Sequence, residues 1–281
     1  GFRLDVADEL PDEFIEKVRA AVKRVSPEKF LLGEVWEDAT TKFGFNKRRT
    51  YLLGKGLDSV MNYPFKNAVL DFVKGKPAEQ AMTEILTICE HYPAPAMDTA
   101  LNFLSTHDTE RALTVIADEP ANGRGRAWQS GRCVTGDAYE EGLLRLRMAY
   151  AIIYTLPGVP CLYYGDEIAM QGYRDPFNRA FFRWDAHEQR LRPVLAQLAQ
   201  LRHTCEAFRT GQLRVLRAED GILHYQRVGK VETAEIIVNR TEHIIVEPLA
   251  SGKHTEVNPM GFTIVVEEVG HNPNHSYYDY V

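Results

Sequence analysis

Short apolar runs alternate with helix-length amphipathic ones through the first two thirds of the chain, and this alternation narrows the possible folds more than any other feature. FRLDV precedes DEFIEKVRAAVKRV, in which Phe14, Val18, Ala21, Val22 and Val25 recur at intervals of three and four. KFLLGEVW and the weaker LDSVMNY read as strands, FKNAVLDFV and AEQAMTEILTICEHY as helices. ALNFLSTH is a strand, EEGLLRLRMAYAIIYTL a long helix, VPCLYYGDE a strand and HEQRLRPVLAQLAQLRH a helix. Such alternation predicts βαβ units around a parallel sheet. The pattern changes near Phe208. LRVLRA, ILHYQRV, AEIIVNR, HIIVEPL and FTIVVEEV then follow one another with no helix between them. They predict a small antiparallel all-β domain, a sandwich, with the boundary between residues 1–206 and 207–281. The polar and aromatic tail HNPNHSYYDYV is expected to be partly disordered.

Composition sets outer limits. A chain of 281 residues holds one large domain, or one medium and one small. Its formal net charge of -6 gives no electrostatic reason to expect nucleic acid as a partner. No apolar run approaches the roughly 18 residues that a membrane helix needs. Cys89, Cys133, Cys161 and Cys205 are widely spaced and form no CxxC pair, which argues against structural zinc. Reduced thiols are the expectation, and they favour a cytoplasmic setting.

In parallel α/β folds chemistry collects at the C-terminal ends of the strands, where the βα loops converge. Asp5 ends FRLDV, Glu34 ends the apolar part of KFLLGEVW, and His107 and Asp108 end ALNFLSTHD. Strands must leave the core through something polar, so one such acid means little. Three strong strands that each deliver an acid to one edge, with Arg3 beside them, point to a site.

RLDVADE, GEVWED and STHDTER resemble, in order, the second, third and fourth signature segments of the α-amylase family of glycoside hydrolases. GVPCLYYGDEIAMQG is similar to that family's stretch at the last barrel strand, and DPFNR to a following loop. With VMNYPF, the resemblance is greatest to the neopullulanase and cyclomaltodextrinase branch. It covers about the first 200 residues. It implies a partial (β/α)8 barrel in which FRLDV is strand four, KFLLGE five, SVMNY six, ALNFLSTH seven and PCLYY eight, with strands one to three outside the sequence.

The resemblance also implies roles. Asp5 would be the nucleophile, with Arg3 keeping it ionised on the same strand face. Glu34 would be the acid and base, holding its proton because it is partly desolvated. Asp108 would stabilise the oxocarbenium-like state with His107 beside it. Trp36 would stack an acceptor sugar, and Asp175 and Arg179 would bind donor-side sugar. The substrate would be an α-glucan oligosaccharide, with hydrolysis or transglycosylation as the reaction. No cofactor follows from the residues, and the calcium that many members bind, which a longer parent protein could also hold, is ligated largely by parts outside this sequence. An incomplete barrel leaves two strand edges open, so self-association, or a catalytically silent chain, is the further expectation.

Several residues have plainer readings. Asp8 and Glu9 are expected to cap the helix that follows, with contact of Asp8 to an acceptor sugar as the alternative. Tyr163, Tyr164 and Asp166 are expected to seal the barrel end, with a direct role toward substrate as the alternative. Asn239 in NRT and Asn274 in NHS match the glycosylation sequon, a weak pattern.

Overall fold

The computed structural model describes residues 1–269 and the backbone of Ser276–Tyr280. Its first part runs β1 (Phe2–Leu4), α1 (Asp12–Val25), β2 (Leu31–Gly33), a small hairpin of β3 (Phe43–Gly44) and β4 (Lys47–Arg48), then β5 (Ser59–Val60). It continues through α2 (Tyr63–Lys74), α3 (Ala78–His91), α4 (Ala94–Met97) and β6 (Leu101–Asn102). After α5 (Ala112–Ala117), α6 (Arg126–Ser130) and α7 (Gly136–Thr155) come β7 (Val159–Pro160), α8 (Leu191–Thr204) and α9 (Ala207–Thr210).

Apart from the antiparallel β3–β4 hairpin, the strands join in sequence order, and every pairing among them is parallel. β1 pairs with β2 and β2 with β5. A parallel bridge from Met61 to Leu101 carries the row to β6, which pairs with β7. The order expected from the helix–strand alternation is therefore present, in strands far shorter than the apolar runs. Only two or three residues of each run pair, in β1, β6 and β7 those at or near its N-terminal end. Asp5 and Glu34 consequently lie one residue beyond their strands, whereas His107 and Asp108 sit well past β6 in a loop rather than at a strand end.

The α1 stripe differs from the expected one. Ile15 and Val22 are buried with Val18 partly so, while Phe14 and Val25 are exposed. The periodicity was right in period and wrong in phase, because Ile15 occupies the centre of the face. Asp12 and Glu13 in the first turn and Lys23 and Arg24 in the last complement the helix dipole. The N-cap is Pro11 and no side chain caps it, so Asp8 and Glu9 do not play that part. They belong to a short 3-10 turn, where Asp8 pairs with Lys42 at 3.2 Å. In α2 the Asn62 side chain accepts from Phe65 N at 3.3 Å, and most of the helix is buried.

The second part is a five-stranded antiparallel sheet in the order β14-β13-β10-β9-β8 and a separate hairpin, β11 with β12. The strands are β8 (Gln212–Glu219), β9 (Ile222–Val228), β10 (Glu232–Asn239), β11 (Ile245–Pro248), β12 (His254–Val257), β13 (Gly261–Glu268) and β14 (Ser276–Tyr280). The hairpin packs Ile245, Leu249 and Val257 on Ile222, Ile237 and Val265 of the sheet. The sandwich is thus lopsided, with a hairpin as its second layer. In the tail, Ser276–Tyr280 forms an edge strand on β13 where disorder was expected, and the rest of it, with Asn274, lies outside the described residues. Asn239 is fully buried and its amide donates to His243, Val257 and Asn258 carbonyls, so the NRT sequon is a structural turn.

Candidate active site

Gly33 ends β2, and its missing side chain decides what can approach. A Cβ there would lie 2.2 Å from Leu57 Cδ1 and 3.2 Å from Ala7 Cβ. Without it, the turn after β1 closes over the end of β2, with Ala7 N donating to Glu34 O at 3.1 Å. The apolar run of β2 therefore delivers Glu34 into a covered position. Its side chain is only 4% exposed, against 69% for Asp5.

Arg3 joins the two acids. Its Nη1 lies 2.6 Å from Asp5 Oδ1 and its Nη2 3.1 Å from Glu34 Oε2, so one guanidinium spans both carboxylates. The Arg3 hydrogen bond holds the Asp5 carboxyl below the ordinary carboxylate range, against the opposing effect of desolvation. Glu34 has two further partners. Val6 N donates to Oε2 at 2.9 Å and the Trp36 indole N–H to Oε1 at 3.0 Å. Val6 has φ 41°, a left-handed conformation that costs a β-branched residue about 1–3 kcal/mol. Its bond to Glu34 is among the contacts that hold the strained turn beside Asp5.

Trp36 is half-exposed and stacks on buried Tyr63, centroids 4.5 Å apart and planes 12° from parallel. Tyr63 meets Phe103 edge-on at 4.8 Å. Burial raises the Tyr63 phenol well above its ordinary value, with Thr106, Glu34, Asp108 and Arg3 around it. Sequence reasoning missed Tyr63, because VMNYPF reads as a strand tail and a stacking partner leaves no local pattern.

The loop after β6 supplies the third acid. His107 Nε2 lies 2.9 Å from Asp108 Oδ2, and Arg179 Nη2 3.3 Å from Asp108 Oδ1. Arg179 Nε also donates to His107 O at 2.9 Å and lies 3.5 Å from Asp175 Oδ1. Beneath them Asn178 is fully buried and donates to the carbonyls of Thr106, His107 and Thr109. Asn178 is a second residue the sequence did not single out, although it stands inside DPFNR. The expected residues thus form two groups, Arg3–Asp5–Glu34–Trp36 and His107–Asp108–Asp175–Arg179. Tyr63 touches the first, and its phenol feels Asp108 of the second.

Behind this edge, Arg111 and Asp166 are fully buried and 3.2 Å apart, and Tyr150 donates to Asp166 at 2.6 Å. The Arg111 guanidinium lies 4.7 and 4.9 Å from the Tyr163 and Tyr164 rings. Arg111 and Asp166 are the buried part of this cluster, whereas Tyr164 is 40% exposed at its rim. Among the described residues no group of three His, Cys, Asp or Glu side chains is placed to hold a metal ion.

These features define a class: an α/β protein with a carboxylate cluster on the C-terminal edge of a parallel sheet. The family model for the alpha-amylase catalytic domain matches residues 1–200, and the chain belongs to that family. A cyclomaltodextrinase from Geobacillus thermopakistaniensis is 32% identical over 255 residues, covering 89% of this chain and 38% of that protein. An amylopullulanase from Thermoanaerobacter thermohydrosulfuricus is 32% identical over 243 residues, covering 81% of this chain and 15% of the other. Among solved structures, a cyclic alpha-maltosyl-(1→6)-maltose hydrolase from Arthrobacter globiformis superposes with a TM-score of 0.79 at 25% identity, covering 95% of this chain and 55% of that one. The chain therefore spans well under half the length of the curated relatives it matches.

Proposed function

We propose that the chain carries the reacting carboxylates of a retaining α-glucan hydrolase, acting on α-1,4 and also α-1,6 links. Asp5, ionised against Arg3, attacks the anomeric carbon as Glu34 gives its proton to the departing glycosidic oxygen. Glu34 then takes a proton from water, which attacks the same carbon and frees Asp5. Asp108, oriented by His107 and Arg179, binds hydroxyls of the distorted ring, while Asp175 and Arg179 hold donor-side sugar. The observation that carries this reading is the Arg3 fork, which sets an exposed acid and a covered one on a single cation. The half-exposed Trp36 beside Glu34 also favours a sugar acceptor, which would give transglycosylation.

In this reading the five parallel strands are strands four to eight of a (β/α)8 barrel, residues 1–206, and residues 207–281 are its C-terminal domain. Asp5 stands too open for chemistry that excludes water. A second copy, or another polypeptide segment, closes the open edge at β1. The widely spaced thiols support a reducing, cytoplasmic setting.

The test is hydrolysis of maltotriose, pullulan and cyclomaltodextrin over a range of protein concentrations, beside Glu34→Gln. Activity that rises per protomer with concentration and vanishes in the variant is expected. Products longer than the substrate would identify transglycosylation. Background rates at every concentration, equal in the two proteins, would remove the proposal.

A further inference from the structure

The crossover from β2 to β5 contains no helix. The chain leaves through Trp36, turns back on itself as the β3–β4 hairpin, and only then returns to the sheet. The turn residues Phe45 and Asn46 have φ of 53° and 59°, the left-handed pair that matches the twist of a two-residue hairpin. Phenylalanine is a poor choice for that conformation, which Gly would adopt freely. Both rings of this arm face water, Phe43 at 71% and Phe45 at 54% exposure. Exposed aromatic rings on a strained turn need a reason.

The arm is firmly held. Arg49, fully buried, donates from Nε to Asp12 Oδ1 at 2.8 Å, from Nη1 to Asp8 O at 2.7 Å and from Nη2 to Leu10 O at 2.5 Å. Its guanidinium lies 5.2 Å from the Phe45 centroid. Gly44 permits this approach, since a Cβ there would sit 3.2 Å from Arg49 Nη1. At the base, Lys42 Nζ binds Glu37 at 2.6 Å and Asp8 at 3.2 Å. Glu37 follows Trp36, and Asp8–Leu10 is the loop that leaves Asp5. The hairpin is therefore clamped to the two loops that present Asp5 and Glu34.

We infer that this hairpin is an acceptor-side arm for long α-glucan chains, with Phe43 and Phe45 stacking glucosyl rings beyond the one that meets Trp36. The inference rests on the α-glucan reading above. Continuity with the loops of the carboxylate site is what selects a glucan over another occupant. The arm, KFGFNKRR, also carries no aliphatic side chain. Its rings are flanked by Lys42 on one side and by Asn46, Lys47 and Arg48 on the other, which suits a pyranose with apolar C–H faces and a rim of hydroxyls.

The experiment is isothermal titration of maltotriose and maltoheptaose into Glu34→Gln, which cannot turn them over, with and without Phe43→Ser and Phe45→Ser, alongside light scattering. Glu34→Gln is expected to bind maltoheptaose about tenfold more tightly than maltotriose, and the double serine change to erase that preference. Phe45→Tyr, which keeps the ring, is expected to retain it. An undiminished preference in the serine variant, with maltotriose still bound, would sink the arm and leave the α-glucan reading standing. Failure of both sugars to bind would remove that reading and the arm with it. A fall from dimer to monomer in the serine variant, without loss of sugar preference, would make the arm a contact between copies and overturn the inference.

Discussion

Arg3 is the residue on which the first half of the site turns, because it touches both acids and little else can replace its fork. Asp5 owes its lowered pKa chiefly to that hydrogen bond. In Arg3→Ala the Asp5 carboxyl is expected to titrate at higher pH, read by carboxyl carbon NMR; an unmoved midpoint would show that Arg3 does not set its ionisation. Asp166 behaves oppositely. Burial raises its pKa from 3.8 to about 6, more than its hydrogen bonds from Ser105 and Tyr150 and the attraction of Arg111 lower it. The folded state therefore holds that proton more tightly than the unfolded state does. Its contribution is fully present below pH 3.8 and is lost as pH rises through 6, a change of up to about 3 kcal/mol. Urea unfolding between pH 4 and 7 should show this decline relative to Asp166→Asn, and parallel profiles would refute it. Asp5 and Glu34 were legible in the sequence because each ends an apolar run. Val6, Tyr63 and Asn178 were not, since a left-handed turn, a ring stack and a carbonyl-binding amide depend on partners distant in sequence.

At the scale of elements, the β11–β12 hairpin is held to the large sheet by a buried polar chain. His224 lies between Glu235, 2.7 Å from Nε2, and Glu247, 3.4 Å from Nδ1, and Arg217 also binds Glu247. Burial pushes the Glu235 carboxyl up, but bonds from His224, Gln226 and the Ala250 amide more than offset it and leave it below 4.5. Stability from Glu235 is thus present above pH 4.5 and lost as pH falls through its folded value. Glu235→Leu leaves His224 buried against one acid fewer, and a loss of about 3 kcal/mol is expected by urea denaturation at pH 7. A loss below 1 kcal/mol would mean that apolar packing alone seats the hairpin. None of this was visible in the sequence. HIIVEPL showed its strand through β-branched residues, but the alternating HTEV of β12 is too short and too polar to separate from a loop. The long helices α1, α3, α7 and α8 were legible from period alone, whereas α4, α5 and α6 were not, because four to six residues cannot establish one.

Over the whole molecule, the composition shift near Phe208 is not a break in the core. Leu223, Tyr225, Ala234, Ile236, Val238, Phe262 and Ile264 belong to the same buried cluster as Leu31, Val60 and Phe72. Arg227, fully buried, donates to Thr155 O at 2.7 Å, and Arg240 to Phe72 O at 2.6 Å. One cooperative melting transition is expected by calorimetry, and two resolved transitions would contradict it. A chain cut after Thr210 is expected to lose near-ultraviolet circular dichroism, since α3 and α7 would then expose the faces that meet the sheet. A seam of this kind also constrains how such proteins can exchange parts. A β-domain from a relative, grafted at Phe208, would meet helices shaped for a different sheet. A recombinant that keeps its fold must inherit α3 and α7 together with the strands they cover, so the unit of inheritance is larger than the β-domain.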